Sequence, residues 1–169
     1  DLEVDLEGIR HTENKVLKLT SYLCSIFKTS HLTENETWLL QQFICLPTEA
    51  HPYELLEELI QIEEKTSFSL AKTLNRLSKK GWLLHNEEAD AYKIHRIIID
   101  VVKRSIGLEE KDVDLLLVTI IAKLLIDQTK DNPIDKFQWV PFGKAILLQF
   151  ENSSSLEISR LQNNLALVL

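Results

Sequence analysis

Between Ser67 and Ser105 the apolar period switches from helical to alternating and back to helical, an order that few folds accept. Phe68, Ala71, Leu74 and Leu77 recur at helical spacing and predict a helix over 67–80 with those side chains inward. Gly81 follows where a helix stop belongs, because glycine reaches the left-handed backbone that ends a helix without a Cβ clash. "WLL" and "AYKI" then read as strands near 82–85 and 91–94, with "HNEEAD" as the turn between them. In "AYKIHRIIIDVV", Tyr92 and Ile94 alternate with polar neighbours as a half-buried strand does. From Ile97 the run Ile97, Ile98, Ile99, Val101, Val102 suits a buried helix, predicted over 96–105 and ended by Gly107. His95, a titratable donor, sits at the joint.

Three further helices are predicted upstream. Val16, Leu19, Leu23, Ile26 and Phe27 space a helix over 15–28. Thr33 and Glu36 form a capping box ahead of "TWLLQQF", predicting a helix over 34–44. A short helix over 53–61 begins near Pro52, a good first-turn residue, and carries Leu55, Leu56, Leu59 and Ile60. Short helices with a β-hairpin directly after the last are the parts of a winged helix, a helix-turn-helix core with one hairpin wing on its side.

From Glu109 the composition changes. "DVDLLLVTIIAKLLI" predicts an almost all-round apolar helix over 110–128. "PIDKFQWVPFGKAILLQF" predicts a second over 134–150, cut by Pro141, and "SLEISRLQNNLALVL" a third over 156–168. Short polar turns such as "DQTKDN" and "ENSSS" join them, as in antiparallel helix pairs. The expected fold is therefore mainly α: a winged-helix domain with a lead-in helix over 1–107, then a helical segment over 108–169.

Charge and composition exclude several functions. With 44% hydrophobic and 27% charged residues the chain has an ordinary globular composition. A net charge of −7 opposes general binding to nucleic acid or to anionic membranes. No apolar run approaches the length of a membrane span, and the opening "DLEVDLEGIR" is acidic, unlike a signal peptide. Cys24 and Cys45 fit no metal or redox spacing and read as buried reduced thiols, which points to a cytoplasmic setting. The chain opens at Asp1, contains no Met and stops at the apolar "LALVL", so a piece of a longer protein is expected.

Catalytic constellations are missing from the sequence. The four glycines, Gly8, Gly81, Gly107 and Gly143, lie far apart, whereas a phosphate-binding loop needs several together so that backbone N–H groups face the phosphates. "FGKA" has the Gly-Lys pair without the upstream glycine or the hydroxyl residue that follows. The histidines at 11, 31, 51, 85 and 95 share no metal-ligand spacing. The carboxylate pairs in "EEL" and "IEEK" read as solvated helix faces, and no Ser or Cys sits in a nucleophile motif. No complete enzyme, metal site or bound cofactor is expected within these residues.

Nucleic-acid binding has one feature in its favour. Lys72, Arg76, Lys79 and Lys80 give the stretch between Thr66 and His85, which holds no acid, a charge of +4, as in a recognition helix. The same face also suits plain solvation or, after that, an acidic protein partner or sister domain. Glu87, Glu88 and Asp90 at the wing tip repel phosphate, so DNA is the weaker reading.

The runs "LTENETWLLQQFICLP", "FSLAKTLNRLSKKGWLLHNEEADAYKIHRIIIDVV" and "EISRLQNNLALVL" together resemble bacterial STAND-class signal-transduction ATPases of the NB-ARC type. The pieces that carry the resemblance are "L-x-x-L-x-x-K-G-W-L" and the "I-H-R" at the strand–helix joint, in this order. In that family a nucleotide-binding domain precedes a winged helix, which leads into helical repeats of the tetratricopeptide kind. The resemblance implies that His95 matches the winged-helix histidine that contacts the phosphate of bound ADP and holds the closed state. Ile94 and Arg96 stand where the family has Met and Asp. It further implies ADP or ATP in the parent protein, a nucleotide-binding domain ahead of this chain, and protein partners on the helical repeats. Two other readings are a DNA-binding regulator with a helical dimerisation region and a protein-only adaptor.

Overall fold

The computed structural model describes Tyr22, Phe27 and residues 29–60, 68–127 and 129–169. The helix predicted over 15–28 lies outside these residues, apart from Tyr22 and Phe27. Phe27 packs edge-on against Trp82, with ring centroids 4.9 Å apart.

The described residues form a mainly helical fold with a small antiparallel sheet. The first helix, α1 (Glu34–Ile44), starts at its capping box: the Glu36 amide donates to Thr33 Oγ1 at 3.3 Å, and the Thr33 amide to Glu36 Oε2 at 2.8 Å. Strand β1 (His51–Pro52) leads directly into α2 (Tyr53–Leu59). Helix α3 (Leu70–Lys79) is capped by Ser69. Strands β2 (Leu83–Asn86) and β3 (Ala91–Ile94) form the hairpin, and α4 (Arg96–Ser105) follows from it.

The sequence predicts one hairpin and no other strand, whereas the sheet has three strands in the order β1-β3-β2. His51 pairs with Tyr92 and Pro52 with Ala91, and the Tyr53 amide donates to the Asp90 carbonyl at 2.9 Å. A two-residue strand has no alternation to read, and its partner lies about forty residues on in the chain. Proline is tolerated there because β1 is an edge strand. Pro52 is accordingly the cap of α2 and a strand residue, not part of the first helical turn.

Helix α3 ends as its glycine predicts. Gly81 has φ +78°, the Trp82 amide donates to Leu77 O at 2.9 Å, and the Gly81 amide to Ser78 O at 3.0 Å. These are the paired bonds of a Schellman stop. Because Trp82 turns back to the helix, β2 begins one residue later than expected. Inward on α3 are Leu70, Thr73, Leu74 and Leu77, with Phe68 half-buried against Trp38.

Beyond Gly107, α5 (Asp114–Leu124), α6 (Val140–Gln149) and α7 (Leu156–Val168) pack on one another. The helix predicted over 110–128 is shorter, because the 3-10 turn Glu110–Asp112, closed by its own capping box, precedes it and Leu125 is extended. The segment predicted over 134–150 divides into the 3-10 stretch Pro133–Trp139 and α6. Pro141 lies in the first turn of α6, where its missing N–H costs nothing, so it opens a helix instead of cutting one. Inside α6, Gly143 allows close approach: a Cβ there would lie 2.8 Å from Leu124 Cδ1 and 3.0 Å from Leu165 Cδ1.

One apolar cluster runs through both parts, from Leu39 and Phe43 on α1 to Ile120 on α5 and Leu161 on α7. Buried amides cross the joint. Gln41 Nε2 donates to Asp112 Oδ2 at 3.0 Å, and Gln42 Nε2 to Asp112 O at 2.7 Å. Lys123 of α5 pairs with Glu58 of α2 and lies over the Trp139 ring. No helix among the described residues is long and apolar enough to cross a membrane.

Candidate functional site

His95 caps α4. Its backbone is extended, with φ −79° and ψ 141°, which breaks from β3 and presents its carbonyl to the first turn. That carbonyl accepts from Ile98 N–H at 2.8 Å and Ile99 N–H at 3.1 Å. The ring completes the cap: Nδ1 accepts from Ile97 N–H at 3.3 Å. An imidazole nitrogen that accepts carries no proton, so a neutral ring holds its proton on Nε2. His95 is exposed, and Nε2 has no partner among the described residues. The ring thus accepts a backbone N–H on one side and offers a donor to solvent on the other.

Arg96 is the first residue of α4, also exposed, and without an ion-pair partner among the described residues. Its side chain lines a cleft of about 690 Å³ between α4 and α6. Ile99, Asp100 and Lys103 continue that wall, and Lys144 and Leu148 face them from α6. Ile44, the last residue of α1, and Leu46 just beyond it are buried beneath the cleft. The stripe Arg96, Asp100, Lys103 was legible as i, i+4, i+7 spacing on one helix face. Lys144 was not, because it comes from a helix forty-one residues after Lys103.

The four basic residues of the helix predicted over 67–80 divide. Lys72, Arg76 and Lys79 form an exposed stripe on α3 at i, i+4 and i+7. Lys80 does not join them. Its Nζ donates to both carboxylate oxygens of Glu36 at 2.8 Å and to the His31 carbonyl at 3.0 Å. Burial pushes the Glu36 carboxyl up, but the Lys80 ammonium and the Thr33 amide outweigh it, and the net shift is downward. Lys80 therefore joins α1 to α3 instead of offering its charge outward.

The wing is self-tied. Asn86 Oδ1 accepts from the Glu88 and Ala89 amides at 3.1 and 3.3 Å. His85 Nε2 lies 3.0 Å from Asp90 Oδ1, and its ring stacks on Tyr92 at 4.2 Å. Glu87 and Glu88 remain exposed at the tip.

Other reactive groups are inert. Cys45 is fully buried, and burial pushes its thiol up to about 12, with Lys103 opposing weakly. Gly143 and Lys144 of "FGKA" lie within α6, so they form no loop. Among the described residues no group of three His, Cys, Asp or Glu is placed to hold a metal ion. The chain matches no family model, no curated protein and no solved structure.

Proposed function

We propose that this chain is the regulatory middle of a multidomain STAND-type ATPase switch, a winged helix followed by the first helices of a tetratricopeptide-type array, which couples nucleotide state to domain arrangement. The observation that carries the reading is the outward Nε2–H of His95 beside Arg96, which has no ion-pair partner among the described residues, at the N-terminus of α4. Three features favour an anion there: a neutral donor, a guanidinium, and the positive end of a ten-residue helix. A phosphate held by a neighbouring nucleotide-binding domain would meet this group in only one arrangement of the two domains. Contact in one state alone biases the equilibrium toward that state. ADP or ATP belongs to the neighbouring domain, and this chain supplies no catalytic group.

The test uses the longer chain that carries the nucleotide-binding domain. His95→Ser keeps an oxygen to cap α4, while its short hydroxyl lacks the reach of the imidazole Nε2–H. A charge-assisted bond to phosphate contributes roughly 1.5–3 kcal/mol, so ADP release should quicken by about ten- to a hundredfold with the melting temperature unchanged. Unaltered release in His95→Ser would defeat the sensor reading, as would a coding sequence with no phosphate-binding loop ahead of Asp1. Arg96→Ala asks whether the neighbouring cation carries the contact.

The exposed stripe Lys72, Arg76, Lys79 favours a second reading, a DNA-binding regulator. With Lys80 engaged by Glu36 and the wing acidic, no sequence-selective duplex binding is expected at physiological salt. A selective complex tighter than about micromolar that is lost in Arg76→Ala/Lys79→Ala would establish the second reading instead.

A further inference from the structure

We propose that the cleft between α4 and α6 docks an acidic amphipathic helix of a partner protein. The charges of the cleft point this way. Arg96, Lys103 and Lys144 against Asp100 leave it at +2 (three cations less one acid), on a chain whose net charge is −7. None of the four has an ion-pair partner among the described residues. Unpaired cations gathered in a concave site on an acidic protein attract an anionic ligand.

Spacing selects the kind of anion. The volume of about 690 Å³ would admit a small molecule. However, Arg96 and Lys103 are seven residues apart, two turns or about 10 Å along α4. A compact anion such as phosphate reaches one end or the other. A helix with acids at i and i+7 reaches both, with the same rise per turn. Ile99 lies between the two cations along α4, and the exposed Leu148 lines the cleft from α6. These suit an apolar side chain in the turn between the two acids of the visiting helix, as in helix-in-groove recognition. Asp100, midway, disfavours an acid at its level and suits a donor there. The expected segment therefore reads acid, then an apolar residue and a donor at i+3 and i+4, then acid, over two turns. This inference shares Arg96 with the nucleotide reading, and Lys103 and Lys144, which belong to the cleft and not to the His95 site, are the residues whose substitution tells the two apart.

The probe is a fluorescein-labelled synthetic helix of about five turns with that pattern, titrated by anisotropy into the 169-residue chain. Binding should weaken with added salt. Lys103→Glu/Lys144→Glu should weaken it at least about tenfold, while Lys72→Glu on α3 leaves it unchanged. Replacing the two acids of the probe by Gln should cost a similar factor. Leu148→Glu, at a site 65% exposed, puts an acid on the apolar wall without threatening the fold and should also weaken binding. The proposal is overturned if the Gln probe binds equally, or if neither Lys103→Glu/Lys144→Glu nor Leu148→Glu alters binding. It is also overturned if inorganic pyrophosphate binds the cleft more tightly than the helix, which would make the occupant a small anion.

Discussion

The two halves of the molecule finish their surfaces differently. Up to Gly107, Leu84 and Tyr22 are the only large apolar side chains among the described residues that stand well exposed. Beyond it, Leu115, Val118 and Leu125 on and after α5, Ile134 and Phe137 before α6, and Leu167 and Leu169 at the end of α7 are all exposed. The N-terminal half also hides polar groups in pairs: Glu36 with Lys80, and His51 with the Pro47 carbonyl. The C-terminal half relies on apolar contact and on the close approach at Gly143, with Asn164 Nδ2 donating to Ile121 O as a polar clamp between α5 and α7. A helical core wrapped around a small sheet closes on itself. A layer of helices buries one side and leaves an outer face, as stacked helical layers do.

The sharpest challenge to this contrast is whether the halves unfold together. Leu40→Ala on α1 and Ile120→Ala on α5 each empty a fully buried site and should cost about 2–5 kcal/mol. Since one cluster spans both halves, each variant should lower a single thermal transition. Two separate transitions in calorimetry would show that the halves are independent.

A smaller effect is expected at the buried ion pair. Glu36→Gln should cost about 1–3 kcal/mol at neutral pH, at the low end because Lys80 is partly exposed. The folded Glu36 carboxyl lies below its ordinary 4.5. Its contribution is therefore complete above that value and is lost as pH falls through the folded one. Denaturant midpoints should converge for the native chain and Glu36→Gln in acid. Parallel curves would remove the ion pair from the account.

His51 tests the joint itself. It is 1% exposed, donates Nε2–H to Pro47 O at 2.8 Å and faces the Phe142 ring of α6 at 5.6 Å. Burial holds its pKa below 6.5, despite the Pro47 carbonyl and Glu49. The unfolded chain then binds more protons, so stability is complete above about pH 6.5 and declines as pH falls toward the folded value, by at most about 1.4 kcal/mol per unit. His51→Gln should flatten this slope. An unchanged slope would assign it elsewhere.

Smaller again are the caps and the open face. His95→Ala should cost about 0.5–2 kcal/mol through loss of the α4 cap, and His95→Ser should recover most of it. Leu115→Lys with Val118→Lys, on the exposed side of α5, should change stability by no more than about 0.5 kcal/mol each. A loss of several kcal/mol there would mean that this face is covered and the contrast is wrong.

What was legible in the sequence was whatever a few neighbouring residues decide. Glu34–Ile44, Arg96–Ser105 and Leu156–Val168 begin and end as their periodicity and caps predict, and the Gly81 stop holds, because capping and helix termination are settled within one turn. Even the His95 joint was visible, as a donor between a strand and a helix. Its ring accepting from Ile97 N–H was not, since which nitrogen faces the helix depends on the rotamer. Tertiary structure alone decided the pairing of His51 with Tyr92, the removal of Lys80 from the basic stripe by Glu36, forty-four residues away, and the meeting of Lys144 with Lys103 across a cleft. A side chain's partner over such separations follows from how helices stack. Stacking is driven by apolar burial, which carries no direction of its own and leaves the polar groups to pair wherever the packing sets them down.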